Sequence, residues 1–131
     1  MRRWMPILVM LFLLLGGARP ARAQEDVGEM YNPFLAEKNL EVGEFYLKKK
    51  NYDAAIERLL ESIRHKPNFA KPHRLLGFAF EKKGELDDAI LYYEKYLEIL
   101  PQAEDAGKIR KRVEKLRRKL AEREKRKRSS G

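Results

Sequence analysis

The stretch Ala36–Pro101, AEKNLEVGEFYLKKKNYDAAIERLLESIRHKPNFAKPHRLLGFAFEKKGELDDAILYYEKYLEILP, is one pattern written twice. Shifted by 34 residues, Val42-Gly43 falls on Leu76-Gly77, Tyr46 on Phe80 and Asp53 on Asp87. Ala55-Ile56 falls on Ala89-Ile90, Leu59 on Tyr93 and Pro67 on Pro101. Glycine, an aromatic, alanine and proline recurring at fixed offsets with this period mark a stacked helical hairpin. A glycine inside a helix costs about 1 kcal/mol relative to alanine. Gly43 and Gly77 are therefore expected where the partner helix crosses too closely for a Cβ, with Ala55 and Ala89 small for the same reason. Pro67 and Pro101 end the second helix of each pair, because proline lacks a donor and disfavours helix in the residue before it.

These residues resemble tetratricopeptide repeats, whose pattern reads aromatic-x2-Leu-Gly-x2-Tyr, then Ala-x3-Phe, then Pro. The first unit reads Asn39-x2-Val42-Gly43-x2-Tyr46, Ala55-x3-Leu59, Pro67. The second reads His73-x2-Leu76-Gly77-x2-Phe80, Ala89-x3-Tyr93, Pro101. The resemblance implies an all-α fold of two helical-hairpin units closed by a long C-terminal capping helix. A weaker similarity, through Glu41–Tyr46 and Asn51–Ala55, is to the repeat part of outer-membrane barrel-assembly lipoproteins.

The expected helices follow from the pattern. The first runs over 33–49, with Asn32 as cap and Pro33 at its first position. Leu35, Asn39, Val42, Gly43 and Tyr46 are expected to face its partner, and Tyr31 and Phe34 to cover the open end of the repeat. The second helix spans 52–65 and buries Ala55, Ile56, Leu59, Leu60 and Ile63 at amphipathic spacing. The third opens at Asn68 or Phe69 and ends at Gly84. The fourth spans 85–100 and buries Leu86, Ala89, Ile90, Tyr93, Leu97 and Leu100. A last helix over 103–126 carries Ala106, Ile109, Val113, Leu116 and Leu120 on one stripe without the repeat landmarks. Two heptads are too few for a coiled coil, so a solvating cap is the expectation.

Four segments result: 1–23, 24–32, 33–120 and 121–131. In the first, Arg2 and Arg3 precede an apolar run from Trp4 to Leu15, and Ala21-Arg22-Ala23 is a small-x-small site. That is the pattern of a cleavable secretory signal, cut between Ala23 and Gln24. Roughly 12 apolar residues are too few to span about 30 Å of hydrocarbon. The expected setting is outside the cytoplasm, periplasmic or secreted. The chain has no cysteine, so no disulfide and no lipid-modified cysteine is expected. Residues 24–32 read as a flexible leader, and 121–131 as a disordered basic tail.

Charge divides the chain. Residues 108–128 hold 13 Lys/Arg against three glutamates, whereas 24–107 hold 12 Lys/Arg against 17 Asp/Glu. Lys108, Arg112, Lys115, Arg118, Lys119, Arg123, Lys125, Arg126, Lys127 and Arg128 form a candidate contact for anionic lipid or another acidic envelope surface. An export signal and the lack of any aromatic in 108–128 argue against nucleic acid.

No catalytic constellation is present. His65 and His73 lack a Cys or paired His at metal-ligand spacing, and there is no phosphate loop or nucleophile elbow. No cofactor or metal is expected, and the chain reads as a binding protein. The family resemblance places a partner protein or peptide on the concave face lined by the first helix of each unit. The matching positions are Glu37, Leu40, Glu44, Leu47 and Lys48, then Lys71, Arg74, Phe78, Glu81 and Lys82. Leu40, Leu47 and Phe78 are the expected exposed apolar anchors. Leu40 and Glu44 occupy the slots where some members clamp a C-terminal carboxylate, so that mode is not expected. Two units make a small core, which also raises self-association.

Overall fold

The computed structural model describes residues 31–131; the signal and most of the leader expected from the sequence lie outside them. The described residues form five α-helices and no strand: α1 Pro33–Lys48, α2 Tyr52–His65, α3 Ala70–Lys83, α4 Leu86–Ile99 and α5 Ala106–Ser129. Each helix packs on the next in sequence, giving the hairpins α1–α2 and α3–α4 and then α5 against α4.

Helix ends follow local chemistry. Asn32 Oδ1 accepts the Leu35 amide at 3.0 Å and Pro33 opens α1; Asn51 Oδ1 accepts the Ala54 amide at 3.2 Å to cap α2. Both first helices end in the same Schellman motif. The Asn51 and Glu85 amides donate to Tyr46 O and Phe80 O, each at 3.0 Å. The Lys50 and Gly84 amides close the inner bonds to Leu47 O and Glu81 O. Gly84 takes the required left-handed backbone (φ 76°), and its counterpart 34 residues earlier, Lys50, does the same (φ 58°) without glycine's freedom.

The glycines lie where the repeat pattern places them. A Cβ on Gly43 would sit 2.9 Å from Leu59 Cγ and Cδ2, and one on Gly77 2.6–2.8 Å from three Tyr93 ring carbons. Leu59 and Tyr93 are themselves 34 residues apart, so each hairpin closes by the same glycine-against-side-chain contact. Ala55 and Ala89 are fully buried beside them. A fully buried Ser62 adds a cross-link, donating its hydroxyl to Ala36 O at 2.7 Å.

Two core clusters result. Leu40, Ile56, Leu59, Leu76 and Ala79 join the first hairpin to the second. Leu86, Ala89, Tyr93 and Tyr96 receive Ile109, Val113 and Leu116 of α5, which caps the second hairpin. Several expected facings shift. The buried stripe of α1 is Ala36, Leu40 and Gly43, while Leu35 is exposed and Asn39 turns its amide back to Leu35 O. One residue is about 100° of helix rotation, and the packing of α1, mainly on α2 and through Leu40 and Glu44 on α3, decides its rotation. Leu60 and Leu100 are exposed, and Tyr96 replaces Leu100 in the core because α5 seats on that side of α4. Tyr31 and Phe34 stand 58% and 73% exposed, so they do not cover the first repeat.

The expected disordered tail is also corrected. Helix α5 continues through Ser129. Residues 121–128 are all good helix formers, the last-turn cations suit the helix dipole, and Arg123 Nη1 is anchored to Gly84 O at 2.9 Å.

Candidate functional site: a cleft between the first helices and the cap

Helices α1, α3 and α5 line one side of the array, and between them lies an open cleft of about 480 Å3. Its apolar lining is Leu47 from α1, Leu75 and Phe78 from α3, and Ile109 from α5. Tyr93 reaches it from α4, and Arg74, Asp105, Lys108 and Arg112 supply charge. Tyr52 meets the Phe78 ring edge-on at 6.5 Å, and Lys82 Nζ lies 5.4 Å from its centroid, which fixes the ring from two sides.

Most charges around the cleft are already tied between helices. Lys71 Nζ pairs with Glu44 at 2.6 Å, bracing α3 on α1. Arg74 lies 3.7 Å from Asp105, whose other oxygen accepts the Tyr96 hydroxyl at 2.5 Å. Glu81 Oε2 accepts from Arg112 Nε at 2.7 Å and from the Tyr93 hydroxyl at 2.9 Å. Partial burial pushes the Glu81 carboxyl up, but the bonds from Arg112 and Tyr93 outweigh it and hold it below the usual range. Burial, with the Glu81 charge, pushes the Tyr93 hydroxyl up. Lys108 is exposed and has no ion pair among the described residues, so it is available to a ligand at the cleft rim.

The expected groove residues divide. Leu47, Arg74 and Phe78 line the cleft; Glu81 and Lys82 touch its lining through Arg112, Tyr93 and Phe78; Glu44 and Lys71 pair with each other between α1 and α3; Glu37 and Lys48 are exposed on α1 and do not line it. Leu40 is not an exposed anchor: it is 4% exposed, in the core between the hairpins. Leu75, Tyr93, Asp105 and Ile109 are cleft residues that sequence reasoning missed. Of the basic set, Lys108 and Arg112 face the cleft, and Lys115, together with Lys111 from outside that set, continues the wall beside Glu81. One more 34-residue step carries Arg74 and Phe78 onto Lys108 and Arg112, a signal that was present in the sequence. Arg117 pairs with Glu94, while Arg118, Lys119, Lys125, Arg126, Lys127 and Arg128 stand exposed along α5.

His73 is a packing residue. It is 5% exposed, stacks on Tyr92 at 6.0 Å and bonds through Nε2 to Pro67 O at 2.8 Å. Burial lowers its pKa, partly offset by that bond, and keeps the ring neutral near pH 7.

A family model described as "TPR repeat" matches residues 43–84, and one described as "Tetratricopeptide repeat" matches residues 70–103. The "Probable UDP-N-acetylglucosamine–peptide N-acetylglucosaminyltransferase SEC" of Arabidopsis thaliana is 36% identical over 62 residues, which is 47% of this chain and 6% of that protein. Hsp70-Hsp90 organizing protein 3 of the same plant is 25% identical over 87 residues, 66% of this chain and 16% of that one. A TPR repeat-containing protein of Methanocaldococcus jannaschii is 33% identical over 75 residues, 57% of this chain and 13% of that one. The chain thus spans less than a fifth of the length of each.

Proposed function

The chain is a tetratricopeptide-repeat protein, a helical-repeat module of protein–protein interaction, and from that premise we propose that it is an exported adaptor of the cell envelope. Its partner segment lies in the cleft between α1, α3 and α5. The observation that carries this reading is the juxtaposition of Leu47, Leu75 and Phe78 with the unpaired Lys108 at the cleft rim. A partner segment with an apolar anchor and a carboxylate one or two turns away fits it, seating the anchor on Phe78 inside a charged rim. The export setting rests on the sequence of residues 1–23. It is checked by the mass of the accumulated protein, which should begin at Gln24.

The cleft is tested with a photo-crosslinking residue at Phe78 and, as control, at Leu91, which is 46% exposed on α4. Crosslinking in intact cells should capture one protein from position 78 and nothing in common from position 91. Leu47→Glu with Phe78→Glu should abolish binding of that protein while far-ultraviolet circular dichroism stays unchanged. Equal capture from both positions, or binding that survives the double change, removes the cleft from the account.

A second reading is favoured by one observation, the ordered basic helix end. With α5 continuous to Ser129, Arg118, Lys119, Lys125, Arg126, Lys127 and Arg128 are exposed on one rod. Each cation near an anionic membrane contributes about 1 kcal/mol. Truncation after Leu120 should then abolish sedimentation with phosphatidylserine-containing vesicles at low salt. Retained sedimentation rejects the membrane role.

A further inference from the structure

The first helix leaves one face bare. Phe34 and Phe45 stand 73% and 54% exposed, and Lys38 and Glu41 between them are exposed without an ion pair among the described residues. The four positions are spaced 4, 3 and 4, so they fall within a narrow arc of α1, as on a helix–helix seam. The repeat register shows what such a face is for. Phe34 falls on the exposed Asn68, and the counterparts of Leu35, Lys38, Glu41, Val42 and Phe45 are Phe69, at the entry to α3, then Pro72, Leu75, Leu76 and Ala79. Pro72 is fully buried, and the other four belong to the cluster packed between the hairpins. On α1 the same face is met, among the described residues, by no other helix and only by the Lys49 ammonium, 5.6 Å from the Phe45 ring centroid.

Its order is self-complementary. Read along α1 the stripe is Phe34, Lys38, Glu41, Phe45, so reversing its direction exchanges aromatic with aromatic and cation with anion. We propose that this face is a two-fold interface with a second copy of the chain, α1 running antiparallel to α1. About the axis, Lys38 lies opposite Glu41 of the partner subunit and Phe34 opposite Phe45 of the partner subunit, so each ion pair and each aromatic pair forms twice. A parallel arrangement sets Lys38 against its own copy and Glu41 against its own, which like-charge repulsion opposes. The far end of the array offers no matching surface, because the exposed residues of α5 are almost all charged and include no aromatic. The interface uses the back of α1, away from Leu47, and leaves the cleft open in both protomers.

The test is sedimentation equilibrium of the chain in the form cells accumulate, at concentrations on the order of 100 μM. The wild type should weigh twice one chain. Lys38→Glu alone and Glu41→Lys alone should each weaken dimerisation about tenfold or more, with helicity retained. The double exchange K38E/E41K should restore it, since the two-fold pairs are remade with signs reversed. A monomeric wild type, single reversals without effect, or an exchange that fails to restore association each overturns the proposal. The cleft variant Phe78→Glu should still dimerise, which separates this interface from the partner-binding reading.

Discussion

Leu40→Ala is expected to lower the stability of this protein by about 2–5 kcal/mol, the cost of emptying a buried leucine site. Leu40 is 4% exposed and touches the cluster of Ile56, Leu59, Leu76 and Ala79 that holds the first hairpin on the second. No other layer backs this contact, because α1 is covered on its inner side alone. A domain of this size loses about 4–8 °C of melting temperature per kcal/mol, so the drop should be about 8 °C or more in a thermal melt. Leu40→Glu, which adds an unpaired carboxylate to the same site, should abolish the cooperative melt. Leu47→Glu, at the edge of the cleft, should retain it. A wild-type melt for Leu40→Glu would return Leu40 to the surface and undo the packing described for α1.

The second expected result sets one substitution in three places. Alanine at Gly77 puts a Cβ within 2.8 Å of three carbons of the Tyr93 ring. That ring is 2% exposed, and its hydroxyl is held by Glu81, so it has little room to swing away. Overpacking of this kind costs about 1–3 kcal/mol, against a gain of about 1 kcal/mol in helix propensity. Gly77→Ala should therefore destabilise. Gly43→Ala meets a leucine side chain at 2.9 Å, which yields more readily than a ring, so its effect should be smaller. Gly107→Ala meets nothing within 4 Å and should stabilise by up to about 1 kcal/mol. Chemical denaturation of the three variants should rank them in that order. Gly77→Ala melting with or above Gly107→Ala would mean that α3 and α4 do not cross at Gly77.

Much of this was legible beforehand. The glycine contacts were readable because a costly residue recurring at a fixed period has few causes, and close helix crossing is the one consistent with a hairpin. The cleft was harder to read. Leu40, Leu47 and Phe78 are all apolar on first helices, and periodicity alone does not separate an apolar residue facing the next hairpin from one facing a partner. Leu75 carried no landmark, and Asp105 and Ile109 lie on a helix outside the repeat pattern. Nor did the sequence reveal that Glu81 is committed to Tyr93 and Arg112, since the first meets it only when α3 and α4 close and the second only when α5 packs on α4.

By itself, the sequence determined the two hairpins, their boundaries to within a few residues, the sites of closest helix approach and the existence of a cap. These depend on neighbours within one or two turns, or on a repeat that announces its own register. Only the tertiary structure decided which arc of α1 is buried, that α5 forms one wall of the cleft, and that the basic end is helical to Ser129. Each depends on the rotation and seating of one helix against another, and a rotation of about 100° exchanges a residue for its neighbour without altering the pattern's period. The stripe Phe34, Lys38, Glu41, Phe45 shows both halves at once: its order is written in the chain, and its exposure is a consequence of how α1 sits on α2.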